Sequence, residues 1–129
     1  MFDPDVMDAL EAALDALADQ STGLATDEQT CERQRRLTAA IDRMSGLQAV
    51  WFDQMQERRS YEVEGASSTA GWARRELRWD VRQSRAAVAA GRTMRVLPAV
   101  GAARRAGEIR GAHVDAFTVA LKKADREIV

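Results

Sequence analysis

STAGWARRELRWDVRQSRAAVAAGRTMRVL, residues 68–97, reads as two helices joined by a tight link. Ser67 and Ser68 are good caps, so a short helix is predicted through Thr69, Trp72 and Ala73 to Leu77. After Arg78-Trp79, Asp80 with Gln83 forms a capping-box pattern, and a second helix is predicted from Val81 to about Val96. A short helix, a link of three or four residues and a second capped helix in basic sequence is the layout of a helix-turn-helix. At about 100° per residue, Arg82, Arg85 and Arg92 fall within an arc of roughly 80°. Ala86, Ala87, Ala90, Met94 and Leu97 take roughly the opposite side, with Val81 and Val88 beside the arginines.

A helix of this kind can enter the major groove of duplex DNA, where arginines reach phosphates and guanine edges. Arg74, Arg75 and Arg78, on the preceding helix and link, are placed to grip backbone phosphates. The candidate DNA-binding set is therefore Arg74, Arg75, Arg78, Arg82, Arg85 and Arg92. The same spacing also fits a solvated or internally paired surface.

Working toward the N-terminus, the segment Glu62–Ser68 (EVEGASS) is the main break, with Gly65 supplying a turn. Upstream, Thr26 and Gln29 form a Thr-x-x-Gln capping box that opens a long helix reaching Arg59. Leu37, Ile41, Met44, Trp51 and Met55 follow a four–three spacing along it, with Gln48 at one seam position. A helix of about 33 residues would be roughly 50 Å long. It serves either as the spine of the domain or as a dimer seam pairing with a second copy. Before it, Asp3-Pro4 starts a first helix whose Val6, Leu10, Leu14 and Leu17 mark one apolar face, stopping near Ser21-Thr22-Gly23.

Toward the C-terminus, Pro98 begins a short helix ending at Gly107, and a last helix covers roughly Ile109 to Arg126. Nothing alternates with period two. The fold class is all-α, with about five helices: a long heptad-like second helix followed by a basic helix-turn-helix-like bundle.

The charge follows the same division. The chain of 129 residues has net charge -1, yet residues 1–65 carry -8 and residues 66–129 carry +7. This suggests an acidic part (1–65) and a basic bundle (66–129), within one compact domain whose halves attract or as a binding surface beside a separate acidic element. Arginine outnumbers lysine 17 to 2 and alanine occurs 24 times. Both biases suit GC-rich codons, so arginine abundance alone is no sign of nucleic acid. At 46% apolar and 5% aromatic, the chain should fold around a core of Ala, Leu, Val and Met.

No apolar run nears the roughly 20 residues of a membrane span. MFDPDVMDAL lacks the apolar stretch of a secretion signal, so a cytoplasmic location is expected. Cys31 and His113 are single residues of their kind and cannot build a zinc site. His113 suits capping or packing better than catalysis, Cys31 reads as inert, and Trp51, Trp72 and Trp79 read as core anchors. There is no phosphate loop, nucleophile elbow or carboxylate–histidine motif. No catalytic residue, cofactor, metal or small-molecule substrate is indicated.

ASSTAGWARREL, VRQSRAAVAAGRTMRVLPAVGAARRAGEI and HVDAF together resemble the 13E12-repeat family, the domain of unknown function 222. The features that carry the likeness are Ser68, Thr69 and Trp72; Arg82 to Arg92; Leu97-Pro98; Gly107-Glu108-Ile109; and His113. The likeness covers nearly the whole chain and is most specific between Ser67 and Phe117. It implies a helical module of GC-rich bacteria, usually upstream of an HNH endonuclease domain and acting on DNA. The segment from Val81 to Ala120 is also similar in layout to the helix-turn-helix region of ParB-like partition proteins, an analogy of fold alone. Two departures stand out. Arg78-Trp79-Asp80 replaces a Leu-Ser type cap, and Arg110-Gly111 replaces a serine, so the last helix should start less firmly. No HNH motif occurs up to Val129, and nuclease activity carries over to no residue present.

Overall fold

The computed structural model describes residues 3–20 and 25–128, and every regular element among them is helical. α1 spans Pro4–Asp19, α2 Asp27–Arg58, α3 Thr69–Glu76, α4 Val81–Val96, α5 Pro98–Ala106 and α6 Gly111–Ile128. A 3-10 turn at Ser60–Glu64 occupies part of the expected break. It is entered through Arg59 and left through Gly65, both in the left-handed region, at φ 56° and 81°. No helix among the described residues is long and apolar enough to cross a membrane.

The chain divides into two compact units, Met1–Arg35 and Arg36–Val129. The division falls inside α2 and not at the charge switch near Gly65. The reason is that the rest of α2 supplies Gly46, Ala49, Phe52 and Asp53 to the buried interior of the second unit.

In the first unit, the Asp3 carboxylate accepts from the Asp5 N–H at 2.9 Å, and Pro4 fits the first turn. Gln20 closes α1, and the expected stop at Ser21-Thr22-Gly23 lies outside the described residues. Thr26 and Gln29 form the full reciprocal box that opens α2. The Gln29 N–H donates to Thr26 Oγ1 at 3.1 Å and the Thr26 N–H to Gln29 Oε1 at 2.9 Å.

In the second unit, Ala49, Met94 and Val114 form the apolar centre, with Val50, Ala90, Val100 and Ile109 packed around it. Small residues set the helix spacing. A Cβ on Gly91 of α4 would lie 2.1 Å from the Ala49 carbonyl oxygen of α2, and one on Gly101 of α5 would lie 2.9 Å from the Met94 carbonyl oxygen. The Arg104 side chain lies over Gly46 and is 4% exposed. Its Nη1 donates to Asp42 Oδ2 and its Nη2 to the Asp42 carbonyl at 2.7 Å. Arg95 of α4 makes a bidentate pair with buried Asp53, at 2.7 and 3.2 Å, and reaches Glu57 at 3.1 Å.

Ser68 caps α3 by accepting from the Gly71 N–H at 2.9 Å, and Asp80 caps α4 by accepting from the Gln83 N–H at 2.7 Å. Gly107 ends α5 in the left-handed region at φ 80°. The expected weak start of α6 is firm. The Arg110 N–H donates to His113 Nδ1 at 3.0 Å, the role a Glu or Gln fills in a capping box. Thr93 and Thr118 join α4 to α6, their hydroxyls 2.6 Å apart. Each hydroxyl also faces the carbonyl one turn back, and with one hydrogen apiece only one of those two back-bonds forms beside the cross-helix bond.

The tryptophans are not uniform core anchors. Trp51 is 45% exposed, Trp72 is half-buried, and Trp79 is half-buried with its ring stacked on buried Phe52 at 5.1 Å. Trp72 Nε1 donates to Glu64 Oε2 at 2.8 Å, which holds the ring at the surface while Ala73 takes the fully buried place. Trp72→Ala should therefore cost about 1–2 kcal/mol, below the roughly 3–5 kcal/mol of a fully buried ring. Urea denaturation measures this, and a loss above about 3 kcal/mol would place the ring inside the core.

Candidate functional site

The six arginines singled out by sequence lie on α3, the link and the outer side of α4. Arg74, Arg78, Arg82, Arg85 and Arg92 are exposed, and none forms an ion pair among the described residues. Arg75 differs. Its Nη2 donates to the Glu64 carbonyl at 2.8 Å and its Nε to Glu76 at 3.0 Å, so the chain itself holds it. Arg78 sits at φ 58°, a left-handed position in the link that lets the backbone reverse between α3 and α4. The link is anchored because the Leu77 and Trp79 N–H groups both point at the Ala73 carbonyl and Trp79 stacks on Phe52.

The layout of short helix, four-residue link and capped helix is thus present. α4 does not stand clear of its neighbours, however: α3, α5 and α6 all pack against it, and α2 crosses it at Gly91. Arg82 and Arg85 border an open groove of about 590 Å3 between α4 and α6, lined also by Ala86, Ala89 and Val119. Asp115, Thr118 and Lys122 of α6 border it too. Sequence reasoning missed Lys122. Its only early signal is the i, i+3 spacing from exposed Val119, which carries no meaning until α6 is known to lie beside α4. Ala86, expected on the core side, instead lines this groove. Ser84, Gly91, Thr93 and Met94 are the buried positions of α4.

The arginines with structural duties are different ones. Donating to the Asp53 carboxylate raises the Arg95 pKa above its ordinary value, against a smaller opposing effect of burial. Burial pushes the Asp42 carboxyl up, but the Arg104 guanidinium, the Gly111 N–H and nearby Arg110 together hold it below its ordinary value.

The seam residues of α2 do not line the interior. Leu37, Ile41 and Trp51 are exposed, while Met44 and Met55 are half-buried. The spine reading of this stripe is corrected: the helix buries its opposite face, where Gly46 and Ala49 permit close approach to α5 and α4 and Phe52 and Asp53 complete the buried set.

Comparison of the chain with family models, curated proteins and solved structures finds no match in any of the three.

Proposed function

We propose that the basic half of this chain is a non-catalytic module that binds duplex DNA through phosphate contacts. One observation carries the reading: the arginines divide into two classes. Half-exposed Arg95 and buried Arg104 are spent on Asp53 and Asp42, whereas Arg74, Arg78, Arg82, Arg85 and Arg92 are exposed without carboxylate partners among the described residues. Unpaired guanidinium groups on one helix–link–helix segment are available to phosphates. Lys122 extends the set along α6, and Arg75 drops to a supporting place. Because α6 lies beside the arginine face of α4, the module grips the backbone and does not insert α4 deeply into a groove. The likeness to the 13E12-repeat family belongs to the same proposal. It would set this module beside an HNH nuclease domain in the bacterial cytoplasm.

Arg82→Ala with Arg85→Ala should weaken duplex binding and leave the helical spectrum unchanged. Each lost phosphate contact should reduce the slope of log K against log salt by about 0.9. A base-reading arginine would instead cost roughly 1–3 kcal/mol at one preferred sequence and little elsewhere. Fluorescence anisotropy with labelled duplexes of two unrelated sequences separates these patterns. An unchanged slope in the double variant would remove both residues from the contact set.

A further inference from the structure

The groove between α4 and α6 contains more than phosphate binding uses. All of its lining residues belong to these two helices, within the second unit. Arg82 and Arg85 stand on the α4 side and Lys122 on the α6 side, all exposed and none in an ion pair among the described residues. Phosphates account for these cations. They do not account for Val81, Ala86, Ala89 and Val119, which make the lining mainly apolar. Val119 is 67% exposed although it stands in this groove. Apart from the thymine methyl deep in the major groove, duplex DNA has no apolar group to lay against it.

Shape and charge together define the occupant. The lining runs from Val81 to Ala89 along α4 and from Asp115 to Lys122 along α6, about 12 and 10 Å at 1.5 Å per residue, or roughly two helical turns each. A third helix laid along the groove would meet it with residues at i, i+3, i+4 and i+7. Ala86 and Ala89 are small and leave room for larger apolar side chains of that helix. Three cations against one carboxylate, Asp115, call for a segment of net negative charge. We infer that the groove docks an acidic amphipathic helix of another protein, its apolar face on Val119 and the two alanines and its carboxylates at Arg82, Arg85 and Lys122. Such a partner would also exclude duplex DNA from those three cations and so regulate the module. The exclusion rests on the DNA reading, whereas the docking does not.

Fluorescence anisotropy of a labelled synthetic peptide titrated with the full chain tests it. The probe is a helical peptide with leucines at i, i+3, i+4 and i+7 and glutamates on either side. One control scrambles the same composition, and a second replaces each glutamate by lysine. The acidic amphipathic peptide should bind saturably, and both controls at least about tenfold more weakly, the second through like-charge repulsion. Val119→Ser should weaken the peptide about tenfold, because the leucines lose an apolar contact, and should leave duplex binding within about twofold. Val119 is exposed, so the variant should keep the helical spectrum, which circular dichroism checks. Arg82→Ala with Arg85→Ala should weaken both ligands. Unlabelled acidic peptide should displace a labelled duplex, and the scrambled peptide should not. No saturable binding of the acidic peptide, equal binding of the scrambled one, indifference to Val119→Ser, or peptide and duplex bound together would each overturn the inference. The peptide titration contains no DNA. A chain that binds peptide and no duplex therefore loses the proposed function and the exclusion but keeps the docking, and one that binds duplex and no peptide loses this inference alone.

Discussion

Gly91→Ala is expected to destabilise the second unit by at least about 3 kcal/mol, the upper end of ordinary overpacking. The new Cβ would lie 2.1 Å from the Ala49 carbonyl oxygen and 2.7 Å from Asp53 Cβ. Both belong to the buried face of α2, and the first is backbone, so no rotamer change relieves the clash. The two helices must separate, which loosens Ala49 and Met94 in the centre and strains the Arg95–Asp53 pair together. For a chain of this size such a loss lowers Tm by on the order of 10 °C. Gly111→Ala is the matched control. Its Cβ would meet Arg104 Nη2 at 3.4 Å, an ordinary contact, and its effect should be near neutral. Thermal denaturation of the two variants side by side checks the claim, and equal Tm values would show that α2 and α4 do not cross at Gly91.

Asp42→Ala is the second large effect, at about 3–5 kcal/mol, the range for breaking a buried ion pair from one side. Arg104 is left buried without its carboxylate, and the Gly111 N–H loses its acceptor. The Asp42 side chain is one-quarter exposed, so water can partly replace it and the lower end of that range applies. Arg104→Met should cost less than Asp42→Ala, because it removes the buried charge itself. The pair also sets an acid dependence. The Asp42 pKa is lower folded than its ordinary value of 3.8, so the stabilisation is complete above that value and is lost as pH falls through the folded-state pKa beneath it. Stability measured from neutral pH downward should fall in that window for the unmutated chain and less so for Asp42→Asn. Identical pH profiles would show that Asp42 does not carry the effect.

Local signals were legible in the sequence because they depend on a few neighbouring residues. Thr26 with Gln29, Ser68, Asp80 and Gly107 all act at helix ends as their types predict, and His113 caps as expected of a lone histidine. The orientation of α2 was not legible. Periodicity gives weight to large apolar residues, so Leu37, Ile41 and Trp51 read as an interior stripe or a dimer seam. Close packing instead selected Gly46 and Ala49, whose smallness is what admits α4 and α5. The roles of Arg95 and Arg104 were hidden for a related reason. Their partners lie 42 and 62 residues away, and an arginine on a basic helix looks the same whether it meets a carboxylate or water. Of the candidate contact set, spacing placed Arg82, Arg85 and Arg92 correctly on one side of α4. Lys122 and the groove it borders depend on how α6 packs, which no local pattern encodes.

The most direct measurement is anisotropy of a labelled duplex titrated with the unmutated chain at two salt concentrations. The proposal predicts saturable binding at about 50 mM salt that weakens steeply at about 200 mM, as several phosphates are neutralised and counterions released. It also predicts little dependence on duplex sequence. Absence of measurable binding at the lower salt, or binding indifferent to salt, would contradict it.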